Sequence, residues 1–371
     1  MKILIDNSNL FAGGGLQVAV SFINDLEVLG LANTYYIVNS PNAATVFDGN
    51  KYPDNFHFIN LLAKGHANIF LRARRLLKIE KDINPDIVFT VFGPSYHKSK
   101  CAKVVGFAIP YIIYPDSPFF KKISVSEKIR YKILSLFKTY FFTRNSDALI
   151  FETENAREVF FAKKGFPKKT FTVGNTLNEI FFKAELWQNL QNVQKTSCDI
   201  LFLTANYPHK NMMILPQTIK ILKQQYRLKN FKFLITLNAE EVTFPGYCND
   251  HINFLGKVQL SQIPSLYQKS DMVFIPTLLE VFSATYLEAM YMRKPIIASD
   301  LGFSRDICGN SAYFCEPTNP EDYARAIFEL AHNPSLKEDL VQKGTENLKR
   351  FGTSMDRTNS YLKIIEQIAK N

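Results

Sequence analysis

The stretch MVFIPTLLEVFSATYLEAMYMRKPIIAS, Met272 to Ser299, decides the fold. It opens and closes on short apolar runs, MVFIP and PIIAS, that lack the polar alternation of a half-exposed strand. Strands covered on both faces read this way. Between them an Ala/Leu/Met-rich segment predicts a helix beginning near Ser283 or Ala284, with Leu287, Met290 and Tyr291 on its buried face. Strand, helix and strand in that order form the right-handed βαβ unit of a parallel sheet.

The same alternation runs outward along the chain. KILID, TYYIVN, DIVFTV, KVVGFA and DALIF are strand candidates in the first half, and DILFLT and FKFLITL precede MVFIP in the second. Helical patterns of about ten to fifteen residues separate them. Two such series predict an α/β protein of two Rossmann-like, doubly wound domains facing across a cleft. A chain of 371 residues is long enough for two cores. The boundary falls near 180–197, where FFKAELWQNLQNVQKTSC is polar and poor in strands. This gives an N-terminal domain over 1–182, a second over 183–352, and a terminal helix over 353–371. In that helix Leu362, Ile365 and Ile368 recur at helical spacing, as expected of a segment packing back toward the N-terminal domain.

The five cysteines are odd in number and contain no CxxC, so neither a disulfide framework nor a zinc site is expected. The first residues enter a strand at once instead of an apolar leader. No apolar run reaches the ~18 residues of a membrane span. These features predict a soluble, cytoplasmic protein. The net charge of +10 is unevenly placed: residues 1–185 hold 24 Lys+Arg against 16 Asp+Glu, and residues 186–371 hold 20 against 18. The basic excess in the first half implies an acidic partner there, whether phosphate, anionic lipid or nucleic acid.

Doubly wound sheets bind ligands beyond the carboxyl ends of their strands, so strand-to-helix loops carry the candidate sites. After KILID comes Gly13-Gly14-Gly15, which lets the backbone approach a ligand. A helix beginning near Leu16 then offers its free N–H groups to an anion. After DILFLT comes Asn206-Tyr207-Pro208-His209-Lys210-Asn211, where Lys210 at a helix start calls for a neutralising anion. After MVFIP, the N–H groups of Phe282, Ser283 and Ala284 suit a diphosphate. Glu288, one turn on, suits two adjacent hydroxyls such as those of a ribose, and Glu280 suits a polar group beyond the phosphates. The bland alternatives are a solvated lysine, a solvated loop acid and an exposed helix acid.

Glu280 and Glu288 form an E-x7-E pair followed by A-M-x-x-x-K-P-I-I-A-S-D. This resembles the signature of retaining GT-B glycosyltransferases of the family-4 type (glycosyl transferases group 1). INFLGKVQLSQIPSLYQKSDMVFIPT and ALIFETENAREVFFAKKGFPKKTFTVGNT resemble further segments of that family in the right order. The likeness is strong over about 199–330 and weaker over 1–150. The resemblance implies that Lys210 binds the donor phosphates and acts in catalysis with Glu280, which contacts the donor sugar. It implies that the backbone of Phe282, Ser283 and Ala284 lines the phosphates, that Glu288 binds the ribose, and that Val258, beside Lys257, lies near the base. Gly14 and Gly15 approach the donor from the other domain. The implied reaction retains anomeric configuration and needs no metal or cofactor beyond a UDP- or GDP-linked sugar. The chain departs from the family at Ala205, where an arginine is common, and at Val281 and Ser283, where glycines are usual. A further departure is Gly106-Phe107-Ala108, where a His-Asp is frequent.

SPFFKKISVSEKIRYKILSLFKTYFF and LRARRLLK interleave basic and aromatic residues, as helices on an anionic membrane surface do. The reading is a glycosyltransferase acting on a saccharide or lipid-linked saccharide in bacterial surface polysaccharide or lipopolysaccharide synthesis, placed in the cytoplasm and peripherally on the inner membrane face. The alternative is a non-catalytic, nucleotide-sugar-binding partner subunit. A nucleic-acid partner lacks any stacking motif or recognised fold signature.

Overall fold

The computed structural model describes residues 1–190 and 195–370. The stretch 180–197 read as a domain boundary therefore lies partly outside the described residues. The chain divides into two compact units: Met1–Tyr114, Ser124–Thr176 and Gly352–Asn371 form one, and Pro115–Ile123 with Leu177–Phe351 form the other.

The first unit is built on seven parallel strands: β1 (Lys2–Asn7), β2 (Thr34–Asn39), β3 (Phe56–Asn60), β4 (Ile87–Thr90), β5 (Ala102–Phe107), β6 (Ala148–Phe151) and β7 (Lys169–Thr172). Their spatial order is β3-β2-β1-β4-β5-β6-β7. One core cluster gathers Ile3, Ile5, Phe22 and Phe89 with Tyr361, Leu362, Ile365 and Ile368 of the helix Ser354–Ala369. Phe22 meets Phe89 and Tyr361 edge-on, with ring centroids 5.3 and 5.6 Å apart.

The second unit has six parallel strands, β8 (Cys198–Phe202), β9 (Phe231–Ile235), β10 (Ile252–Phe254), β11 (Met272–Ile275), β12 (Ile296–Ser299) and β13 (Ala312–Cys315), ordered β10-β9-β8-β11-β12-β13. Ile200 and Phe274 point into one core cluster while Leu201 and Val273 point into another, and all four are fully buried. Both faces are covered, which is why these strands show no polar alternation in sequence.

Four strands carried no sequence signal strong enough to be read: β3, β7, β10 and β13. They are the four sheet edges. Edge strands such as KTFT are short, half-exposed and partly polar, and one missing neighbour weakens the apolar signature. The basic-aromatic stretch also divides differently from its sequence reading. Residues 115–123 belong to the second unit, with a short 3₁₀ turn at Pro118–Lys121, while Ser124 caps a separate helix, Val125–Asn145, in the first. Phe119 and Phe142 are buried, so those two aromatics are core residues and not surface ones.

Candidate active site at the switch point of the second sheet

β8 and β11 are neighbours, with Met272 paired to Ile200 and Val273 to Leu201. The strand order reverses between them: β9 and β10 lie beyond β8, β12 and β13 beyond β11. Loops leaving the carboxyl ends at such a point diverge and open a crevice. The loop after β8 carries Lys210 and the loop after β11 carries Glu280. Their side chains form an ion pair, Lys210 Nζ to Glu280 Oε1, at 19% and 12% exposure. Neither is a solvated surface charge. The two loops are held together by the backbone: His209 O accepts from Leu278 N at 2.8 Å and from Thr277 Oγ1 at 3.2 Å. Ser117 Oγ donates to Leu278 O at 2.6 Å. Glu280 Oε2 is buried and has no hydrogen-bond partner among the described residues. A buried carboxylate oxygen left open in this way is costly unless a ligand donor meets it.

The helix Ala284–Tyr291 begins four residues past Glu280, at the Ser283 N-cap. Ser283 makes no side-chain cap, and the N–H groups of Phe282, Ser283 and Ala284 meet no acceptor among the described residues. Orphan donors with the positive end of a helix dipole behind them have the character that an anion would meet. Val281 is buried. Where the family has glycine, this side chain anchors the loop in the core.

Glu288 lies on the same helix and is buried, not the exposed acid of the bland reading. It accepts a 2.8 Å hydrogen bond from the Tyr267 hydroxyl. Burial pushes its carboxyl up to about 7, against the lowering effect of that hydrogen bond. Burial and the adjacent Glu288 raise the Tyr267 phenol well above its ordinary value. Tyr267 was not assigned from sequence, because 21 residues separate it from its acid.

One sequence argument fails locally. Lys210 does not open a helix: it ends a 3₁₀ turn, Pro208–Lys210, and Asn211 follows in a left-handed conformation (φ 58°). The helix proper is Leu215–Gln224. The neutralising group at Lys210 is Glu280, supplied by the next loop. Asn211 is buried and bridges two segments, donating to Pro317 O at 3.1 Å and accepting from Lys122 Nζ at 2.5 Å. Lys122 thus stands beside the Lys210 turn, 89 residues from Asn211 in sequence, whereas the sequence reading placed it in the basic-aromatic run and not at this site. Burial lowers its ammonium, and Glu316 partly restores it. Burial and then the Lys210 charge hold the His209 imidazole below its usual range, with Glu280 opposing. Ala205 is exposed and adds no cation.

Val258 lies two residues after Gly256, which is itself two residues past β10 with φ +70°, and its side chain packs partly buried against the core. In the first unit, Gly13 (φ 72°, ψ −157°) precedes a helix that starts at Gly14, two residues before the expected Leu16. A Cβ on Gly14 would meet nothing within 4 Å, and one on Gly15 would meet the Phe92 ring at 3.3 Å. At Gly106 a Cβ would fall 1.9 Å from Val91 O. Backbone approach excludes any side chain, histidine included, from that position.

Comparison with known proteins fits this geometry. Residues 184–347 match the family described as Glycosyl transferases group 1. This group 1 region holds Lys210, Val258, Glu280, Phe282–Ala284 and Glu288, and it covers less than half of the chain. Among curated relatives, the uncharacterized glycosyltransferase MJ1178 of Methanocaldococcus jannaschii is 29% identical over 161 residues, 41% of this chain and 43% of that protein. The O-antigen chain mannosyltransferase RfbU of Salmonella typhimurium is 24% identical over 163 residues, 43% of this chain and 45% of that protein. The matches therefore span less than half the length of either relative. Over the whole chain the fold is shared with sucrose-phosphate synthase from Thermosynechococcus elongatus (TM-score 0.74, 13% identity, 99% and 98% of the two chains). It is shared also with Anabaena Alr3699/HepE in complex with UDP and glucose (TM-score 0.68, 12% identity, 99% and 99%). The two-domain α/β architecture is GT-B.

Proposed function

We propose that the protein is a glycosyltransferase that takes a sugar from a UDP- or GDP-linked donor, retains its anomeric configuration and requires no bound metal. The observation that carries this reading is the convergence of Lys210 and Glu280 from the two loops at the switch point, beside orphan N–H groups at a helix start. A diphosphate placed there would receive those N–H groups and the Lys210 ammonium, which stabilise the leaving group where a metal otherwise would. The open Glu280 oxygen would take a hydroxyl of the sugar. Glu288 would take the ribose hydroxyls, and the backbone near Val258 would border the base.

The acceptor is a saccharide or lipid-linked saccharide in surface polysaccharide synthesis, a reading supported by the likeness to an O-antigen mannosyltransferase. A lipid-linked acceptor would be met at the anionic inner membrane face through the basic first half. No helix among the described residues is long and apolar enough to cross a membrane. The reading as a non-catalytic subunit is not favoured: the lysine and both acids are present, and Lys210 pairs with Glu280. The test is sugar release or transfer from a panel of UDP-, GDP- and ADP-sugars, with product anomers assigned by NMR. Turnover of one donor with retention supports the proposal. Binding without turnover of any donor, across a range of acceptors, contradicts it.

A further inference from the structure

The helix Val125–Asn145 is 21 residues long, and among its residues only Phe142 and Asn145 are buried. Val125, Ile129, Ile133, Leu136 and Tyr140 are 51–69% exposed. At 3.6 residues per turn they fall within an arc of roughly 80°. Phe142 and Asn145 lie on the opposite side, as does Lys138, which packs over the Tyr111 ring at 5.5 Å. The apolar stripe therefore faces away from the body of its unit. A contiguous exposed stripe of this kind marks an interaction surface.

Charge says what covers it. On the helical wheel Lys128 and Lys132 border one edge of the stripe, and Arg130 and Arg144 the other. The helix carries Lys128, Arg130, Lys132, Lys138 and Arg144 against Glu127 alone. At the end of the stripe Arg144 joins Lys98, Lys100, Lys168 and Lys169 around a cavity of about 690 Å³. A second copy of the chain would set these cations against their own images in a two-fold interface. An anionic bilayer instead takes the apolar residues between its headgroups and pairs the flanking cations with its phosphates.

We infer that the helix Val125–Asn145 is an interfacial membrane helix that lays Val125, Ile129, Ile133, Leu136 and Tyr140 into an anionic bilayer surface. The inference deepens the proposed lipid-linked acceptor and rests on it only for the biological setting. The aromatics that anchor the helix to the protein, such as Phe142, are distinct from the residues that enter the lipid.

The test is co-sedimentation of the full chain with vesicles of phosphatidylcholine, with or without one-third phosphatidylglycerol. The expected result is binding to the anionic vesicles that weakens as salt is added. Lys128→Gln and Lys132→Gln should each weaken it about fivefold. Ile129→Glu/Ile133→Glu, at exposed positions that leave the core untouched, should weaken it about tenfold or more. Midpoint shifts induced by nucleoside diphosphate should be the same in every variant, which also confirms folding. Failure of the wild type to sediment at low salt overturns the inference. So does binding that Ile129→Glu/Ile133→Glu leaves unchanged. A wild-type dimer that ignores vesicles and is split by the same double variant gives the face to a second copy, and also overturns it. Donor turnover read in solution separates the two proposals: intact turnover without vesicle binding removes this one alone, and vesicle binding without turnover removes the other.

Discussion

Lys210 and Glu280 are 70 residues apart in the chain and joined at the switch point of the second sheet. The pair means that the phosphate-binding lysine of the proposed site is already engaged in the free protein. A diphosphate has to compete with Glu280 for the ammonium, and the displaced acid then faces the sugar. Glu280→Gln removes the competing charge. Nucleoside diphosphate should bind this variant about tenfold more tightly, by isothermal titration, while sugar transfer falls about a hundredfold or more. Weaker nucleotide binding would mean that Glu280 supports the phosphate site and does not compete with it.

Lys210→Ala should lower donor turnover about a hundredfold, the usual worth of one well-placed charge in a site sheltered from water. The substitution also strips the sheltered Glu280 of its cation, so the thermal midpoint should fall, and turnover is compared below the variant's midpoint. Turnover within a few fold of wild type would place the phosphate elsewhere.

Much of this was legible from sequence because the central strands are apolar on both sides. The second-domain loops also carry the candidate site residues just past those strands. The four edge strands were not legible, since a sheet edge mixes polar and apolar positions. Nor was the loop chemistry: a left-handed Asn211 cannot be foreseen from its neighbours, and it moves the helix start from Lys210 to Leu215. Glu280 and Glu288 were found by spacing. Their partners Lys210 and Tyr267, and the Lys122–Asn211 contact, depend on strand order, which no local window contains.

Glu288 gives a pH signature. Its carboxyl is raised from an ordinary 4.5 to about 7, so the folded chain holds this proton to higher pH than the unfolded chain does. The resulting contribution to stability is fully present below about 4.5, is lost as pH rises to about 7, and is flat above. Its size is about 3 kcal/mol at most. Glu288→Gln cannot titrate, so its thermal midpoint should rise relative to wild type between about pH 5 and about pH 8. A difference that does not change with pH would show that Glu288 ionises normally.

Tyr267→Phe removes the hydrogen bond that stabilises the Glu288 carboxylate. The variant should lose about 1 kcal/mol of stability, and the Glu288 titration should move above about 7. If the ribose is held by the ionised acid, nucleoside affinity near neutral pH should fall with it. Tight-binding pH profiles that coincide for wild type and Tyr267→Phe would exclude this coupling.

The central claim is that the switch point of the second sheet holds a nucleoside diphosphate by its phosphates. Isothermal titration of UDP, GDP and the bare nucleosides into wild type and Lys210→Ala tests it most directly. The account predicts that one diphosphate binds the wild type, that its nucleoside binds far more weakly, and that Lys210→Ala removes most of the difference. Equal affinity of wild type and Lys210→Ala for every diphosphate, or no binding of any, would contradict it.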